Sequence, residues 1–447
     1  MKFLFLLFLF FYCSTPKKIP EISKIDPSYY NGFSKREISG TTEAVFFIQP
    51  YQNIKIFINA ESTNYKILST DKNIAKIKIQ IPIFLDTYGF EITLNDFKSP
   101  PKKKVFYHIK DLQDNLLAID QIGQSNHTFF ASYTTGREPK SVRFIDNTKV
   151  AVSIMDEEGF DVIDIFNGSK NRFKTPPELN PEKKGFVESL ILTEINEIWM
   201  SQMSTATIHT FDLNDFHFKN VIHLTGKWSK VMTFDQYKKL VYCSNWSSGD
   251  ISIIDIYKQK EIEKTKKLYG VPRGMALSED GNYLYFAQYS DGGEAGGGRV
   301  GIYSLKEKKI IQFLGSPGSK RHIISGVKSN QIYVSDMLTN KIELFDMKGS
   351  KILQSIPVFH NPNTIVLSPD KKYLYVSCRG PNNPKSYLIK GLVLGKIQVI
   401  DTSTHEIVET WETGNQPTGL DISPDGNYLV STDFLDHRVR VFKRTSF

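Results

Sequence analysis

Cysteine is scarce in this chain, with 3 in 447 residues, and one of those is Cys13. Only Cys243 and Cys378 follow it, so no disulfide framework organises the fold and no Cys-x-x-Cys pair offers a zinc or redox site. The Cys-x-x-Cys-His signature of haem attachment is missing too. So are a Gly-x-Ser-x-Gly nucleophile elbow and a Gly-Lys-Ser/Thr phosphate loop, which removes the usual sequence signs of a serine hydrolase and of a nucleotide site. No apolar run reaches the roughly twenty residues that a spanning helix needs. No cofactor and no metal are expected from these residues. What the chain does have is 40% hydrophobic residues and 13% aromatic ones, including 31 Phe and 21 Tyr. With recurrent β-branched runs, that composition favours sheet over helix.

The first residues carry Lys2 and then an unbroken apolar stretch from Phe3 to Tyr12, followed by Cys13. About ten apolar residues are too few to cross a bilayer, so 1–12 is a targeting segment. A cysteine directly after it resembles the bacterial lipoprotein signal, with Phe11 and Tyr12 standing where such signals carry a small residue. The resemblance implies acylation of Cys13, export, and a lipid anchor on the cell envelope, on the outer-membrane or periplasmic side.

Residues 13–37 lack periodicity and suit a tether. Between 38 and 110 lie short β-type runs: Ala44 to Ile48, Asn53 to Asn59, Tyr65 to Ser69, Ala75 to Ile83, Phe90 to Leu94 and Val105 to Ile109. They predict a small β-sandwich of immunoglobulin-like type. Residues 111–127 are a connecting segment, with room for one helical turn. The net charge of +8 is spread along the chain rather than gathered in one block, as a solvated surface requires.

From 128 to 447 the chain repeats. Asn361 opens NPNTIVLSPDKKYLYVSCRG, continued by GKIQVIDTSTHEIVETWETG to Gly414, and NQPTGLDISPDGNYLV follows at once. Each unit has a Pro, an apolar strand, a Ser-Pro-Asp turn, a second strand, a loop, a third strand ending in Ile-Asp, and a fourth strand. Weaker copies open at Glu138, Val187, Ser229, Val271 and Arg321, making seven openings. A four-stranded unit at this period is a propeller blade, because radial stacking covers both faces of each sheet and leaves few edges. The last unit has only three strands. Thr128 to Gly136 resembles the fourth strand Val408 to Gly414, so it is expected to complete the seventh blade and close the ring. The prediction is an all-β, seven-bladed β-propeller closed by its N-terminal strand, with the small sandwich in front. Cys243 and Cys378 then sit three blades apart, free and half-buried.

These units, with Tyr333-Val334-Ser335 and Tyr375-Val376-Ser377, resemble the YVTN family of bacterial β-propellers over 128–447. The resemblance implies the fold. Its relatives include surface and periplasmic binding proteins, lactonase-like enzymes and domains of redox enzymes. The second and fifth units depart from the pattern, reading LTEINEI and SGVKSNQI where the turn should be.

Aligning the blades puts Lys140, Glu188, Lys230, Arg273, His322, Asn363 and Thr418 at the channel mouth, with Arg321 and His360 beside them. Three cations and an imidazole around one opening focus positive potential and predict an anionic ligand. The loops between second and third strands share that face and add Trp246, Asp336, Arg379 and Asp433. Two of these loops are long, YSDGGEAGGGR from Tyr289 and RGPNNPKSYLIKGLVLG from Arg379. Asp291 and Glu294 lack the spacing of a calcium loop and are read as part of a flexible cover. Asp164, Asp212, Asp255, Asp346 and Asp401 recur at the third strand's end, where Asp accepts backbone hydrogen bonds in a turn.

The expected function is a monomeric, lipid-anchored binding or scaffold protein of the envelope, holding a protein or a small anion on the loop-bearing face. The alternative is a lactonase-like hydrolase with Arg273, His322, Asp336 and Asp433 converging in the channel. Nucleic acid is not expected as a partner, since Trp246 beside Lys230 does not make an interleaved aromatic and basic face.

Overall fold

The computed structural model describes residues 127–444, apart from 292–294, 384 and 392, together with the strands lying between Thr41 and Ile119. The expected signal segment 1–12, Cys13, the tether 13–37 and Glu294 lie outside the described residues. The chain divides into two compact units, the larger made of Ser132–Val408 and Thr413–Val441.

In the front part, Thr41–Ile48, Ile74–Pro82 and Tyr65–Asp71 form a three-stranded sheet. Glu61–Thr63, Ile54–Ile58, Gly89–Leu94, Lys104–His108 and Leu117–Ile119 form a five-stranded one. Leu117–Ile119 corrects the reading of 111–127 as a connector with a helical turn. Its short apolar run adds an edge strand, with Leu117 opposite His108 and Ile119 opposite Phe106.

The remainder is a seven-bladed propeller, each blade a four-stranded sheet in up-and-down order. The innermost strands, in blade order, are Pro139–Phe144, Glu188–Leu192, Ser229–Asp235, Pro272–Leu277, Lys320–Ser325, Pro362–Leu367 and Pro417–Ile422. Each packs against the next, and the seventh packs against the first. At that closure Asp421 accepts the Phe144 N–H at 2.8 Å, and the Thr418 hydroxyl donates to the Pro139 carbonyl at 3.2 Å. Blade 7 runs Pro417–Ile422, Tyr428–Asp433, Arg438–Arg444 and then His127–Thr134, so the strand before the first blade is the fourth strand of the last. In the smaller unit Phe442 stacks on Trp411 at 5.0 Å and meets Phe129 edge-on at 6.1 Å.

The hydrophobic cores sit between blades. Trp199 and Leu192 of blade 2 pack with Met232 and Val241 of blade 3, and Ala276 and Tyr285 of blade 4 pack with Ile323 and Val334 of blade 5. Second strands are covered on both faces, which is why they read as continuous apolar runs such as Tyr333-Val334-Ser335 and Tyr375-Val376-Ser377. This also corrects the expectation of half-buried thiols: Cys243 and Cys378 are free but fully buried, and burial pushes both thiols up and out of thiolate chemistry. The repeated Asp residues cap their turns. Asp164 accepts the Phe166 N–H at 2.8 Å, Asp255 the Lys258 N–H at 2.9 Å and Asp401 the Ser403 N–H at 2.8 Å.

Candidate functional site

Six of the seven innermost strands carry a β-bulge at the same place. In blade 4, Pro272 pairs with Gln288 and Met275 with Phe286, so Arg273 and Gly274 are left out of register. The same shift leaves Lys140, Lys230, Arg321 with His322, Asn363 and Thr418 in the bulges of blades 1, 3, 5, 6 and 7. A bulge re-aims side chains at the cost of a freed backbone N–H. The Ser of the repeated second strand supplies the acceptor: Ser335 Oγ takes the His322 N–H and Ser377 Oγ the Thr364 N–H, both at 3.0 Å. Thr432 does the same for Gly419 at 2.8 Å. The Ser335 hydroxyl then donates to the Asn363 carbonyl of the next blade at 2.7 Å. Thus the third residue of each Tyr-Val-Ser holds its own bulge and ties it to its neighbour's. Blade 2 has no shift, and it presents the carboxylate, Glu188, opposite Ser201.

Lys140, Glu188, Lys230, Arg273, Arg321, His322 and Asn363 line one small cavity that is open to solvent. Lys230, Arg273 and Arg321 are each at most 8% exposed, yet none makes an ion pair among the described residues. Their neighbours are aromatic faces instead. Lys230 Nζ lies 3.5 Å from the Trp246 ring centroid, and Arg273 Cζ lies 4.1 Å from it and 4.9 Å from that of Tyr289. Lys140 Nζ stands 4.4 Å over Phe434, and Arg379 Cζ 5.8 Å from Tyr387. A π face holds a cation without neutralising it, so the positive potential stays available to a ligand. The Nε of Arg273 and that of Arg379 are buried without a hydrogen-bond partner.

Burial, followed by the charges of Arg379, Arg321 and Arg273, pulls the Lys140 ammonium far below its ordinary range. Burial, then Arg273, Lys140 and Arg321, does the same to Lys230. The guanidiniums are also pulled down, Arg379 to about 9. Arginine's intrinsic basicity keeps it charged, so the lysines release protons first. Burial pushes the Glu188 carboxyl up, and burial with nearby Arg143 and Arg321 drives His322 down to about 3, leaving it neutral.

The other candidates are placed as follows. Asn363 is buried, accepting from Arg321 Nε and donating to the Thr418 carbonyl at 2.9 Å. Thr418 bridges blades rather than lining the cavity. Asp336 and Asp433 are not brought to the mouth. Asp336 takes the Lys320 ammonium at 2.7 Å and the Ser319 N–H at 2.9 Å, and Asp433 pairs with buried Arg440. Their side chains point into the sheet stack, where strand-end carboxylates find cations from the neighbouring strand. Asp291 is exposed, and His360 sits on the surface beside Asn340. Sequence reading missed Tyr289, Tyr387 and Phe434. The signal for Tyr289 and Phe434 was an aromatic in a loop that faces a bulge cation, Arg273 or Lys140, whereas Tyr387 faces Arg379 within its own loop.

The family model described as "Lactonase, 7-bladed beta-propeller" matches residues 299–446. Antigen Lp49 of Leptospira interrogans (serogroup Icterohaemorrhagiae, serovar copenhageni) is 51% identical over 417 residues, 92% of this chain and 90% of that protein. Protein NirF of Pseudomonas aeruginosa is 24% identical over 200 residues, 42% of this chain and 47% of its own. A chain of the Kuenenia stuttgartiensis hydrazine synthase superposes with a TM-score of 0.58 at 14% identity, over 68% of this chain and 95% of that one, a likeness of fold. The chain belongs to the family of antigen Lp49, within the YVTN-type seven-bladed β-propellers.

Proposed function

We propose that this protein is an exported, lipid-anchored binding protein of the cell envelope that takes a small anion at its channel mouth. The observation that carries the reading is the set of unpaired cations around one cavity, Lys140, Lys230, Arg273 and Arg321, with Arg379 beside them and Glu188 as the facing carboxylate. Buried cations without counter-charges are costly, and a ligand anion is what removes the cost. Export and anchoring rest on Lys2, the apolar run to Tyr12 and Cys13. The word antigen in the name of a 51% identical relative fits a chain that antibodies can meet.

Calorimetry with phosphate, sulfate and citrate tests the site: binding that Arg273→Ala abolishes supports it, and silence with all three anions removes it. Mass spectrometry of the mature amino terminus, with Cys13→Ala as control, tests the anchor. The match to a lactonase-named family model favours a second reading, hydrolysis at the same mouth. Of the four groups it calls for, Arg273 and His322 line the cavity, while Asp336 and Asp433 are bound to Lys320 and Arg440. Turnover of a lactone that is lost in His322→Asn would establish it.

A further inference from the structure

Inner strands begin at the mouth, so the loops from each fourth strand to the next blade, and from second to third strands, all rise on that face. Its exposed large apolar residues are Leu179, Trp228, Tyr269 and Leu338, with Tyr387, Leu388, Ile389 and Val393 in the long loop of blade 6. On the opposite face, and at the starts of the fourth strands that rise from it, the exposed residues are Phe166, Tyr237, Tyr257 and Tyr283 with Ile352, Leu353, Ile407 and Val408. The blade 6 loop is not loose. Asn415 accepts the Gly391 N–H at 2.9 Å, Gln416 Nε2 donates to the Tyr387 carbonyl at 2.5 Å, and Lys390 pairs with Asp436 at 2.9 Å. Tied down at three points, it still turns Leu388 (47% exposed) and Ile389 (45%) outward instead of into the core.

Lysines accompany these residues. Exposed Lys227 adjoins Trp228, exposed Lys266 and Lys267 precede Tyr269, and exposed Lys385 precedes Tyr387, none of the four making an ion pair among the described residues. Aromatic and aliphatic tips alternating with free ammonium groups around a cationic opening match the two layers of an anionic bilayer surface, phosphate above and acyl chain below. An acidic protein would satisfy the charges but would leave no reason for Trp, Leu and Ile to stand among them at three separate loops. The acidic loop Asp156, Glu157 and Glu158 belongs to blade 1, and Arg137, Arg172 and Lys174 pair with it. Contact therefore falls on blades 3 to 6, where the lysines outnumber the one exposed carboxylate among the described loop residues, Asp291 of blade 4.

We infer that the mouth-bearing face, through the loops at Trp228, Tyr269 and Tyr387 to Ile389, docks on the surface of an anionic phospholipid bilayer. The inference rests on the anion-binding reading for the mouth alone, since the loop tips are a separate observation. The test uses the secreted full chain carrying Cys13→Ala, so that no attached lipid contributes. It is mixed with vesicles of equal phosphatidylglycerol and phosphatidylcholine, or of phosphatidylcholine alone, and sedimented. In parallel, inorganic phosphate is titrated calorimetrically.

The expected result is binding to the anionic vesicles that weakens with salt, falls about tenfold or more in Leu388→Asp/Ile389→Asp, and leaves phosphate binding unchanged in that variant. Thermal melting of the double variant confirms that it folds. Phosphate binding without vesicle binding overturns the docking and keeps the anion site. Vesicle binding that is equal on the two compositions, or indifferent to Leu388→Asp/Ile389→Asp, also overturns it. Silence in both arms removes docking and anion site together.

Discussion

Lys320 and Arg321 are neighbours on the innermost strand of blade 5 and are both buried, yet their surroundings are opposite. The Lys320 ammonium is closed in by two carboxylates, Asp336 at 2.7 Å and Glu343 at 2.6 Å, with no exposed surface. Arg321 turns the other way, into the mouth, where its neighbours are Arg273, Arg379 and Lys140, an amide and a thioether. Burial alone would raise the Asp336 carboxyl, but the Lys320 charge overrides it and holds the group below its ordinary range. At the mouth nothing overrides burial, and the cations there are all shifted towards losing charge. One cluster is complete within the chain, and the other, on the anion-binding proposal, is completed by a ligand. The first is stability and the second is capacity to bind.

The sharpest way to break this contrast is Lys320→Met. Removing the cation leaves Asp336 and Glu343 buried without a partner, and a loss of about 3–5 kcal/mol is expected in urea denaturation. Lys320→Met/Asp336→Asn/Glu343→Gln, which removes the stranded charges as well, should recover part of that loss. A single-variant loss below about 1 kcal/mol would mean that the triad is no more structural than the mouth.

The mirror experiment is Arg273→Met. Its cation–π contacts to Trp246 and Tyr289 are lost, but so is its repulsion with Arg321, and the two oppose each other. Stability should stay within about 1 kcal/mol of the parent. Anion affinity should fall at least tenfold, the worth of one charge-assisted hydrogen bond. If the variant loses stability and binds unchanged, Arg273 belongs with Lys320 and not with the ligand.

The parts of this structure that were legible in the sequence are those fixed by repetition. The order of strand, turn and Ile-Asp gives the blade, and the likeness of Thr128 to Gly136 to the fourth strand of blade 6 gives the closure. Both follow from what a buried sheet and a short turn demand locally. The mouth was legible as a column of aligned positions, because one bulge recurs six times at the same place. The fates of Asp336 and Asp433 were not. Each stands at the end of a second strand, as a loop-face ligand would, and only the register of Lys320 and Arg440 across the sheet reveals that the carboxylate is taken. The aromatic supports were hidden for a related reason. Phe434 of blade 7 carries Lys140 of blade 1, a pairing between repeats that no single repeat contains.

The subtlest distinction between the two clusters is in their response to pH. Lys140 and Lys230 are bases whose folded pKa lies below the unfolded value, so between those limits the unfolded chain binds more protons than the folded one. Their contribution to stability is therefore least favourable at low pH and improves as pH rises towards the ordinary lysine value near 10.5. Anion binding must run the other way, because the same deprotonation that relieves the empty mouth removes the charge the ligand needs. Below the ordinary lysine value, wherever the empty mouth has released protons, binding should take them up again, visible as a calorimetric heat that changes with the ionisation enthalpy of the buffer, and Lys230→Met should reduce the uptake. His322, driven to about 3, adds a separate slope, with stability lost as pH falls from 6.5 towards that value. Since it is neutral throughout the upper range, it contributes nothing to the proton uptake. A buffer-independent heat would show that the lysines keep their protons in the empty site, and with that the electrostatic difference between Lys320 and the mouth would disappear.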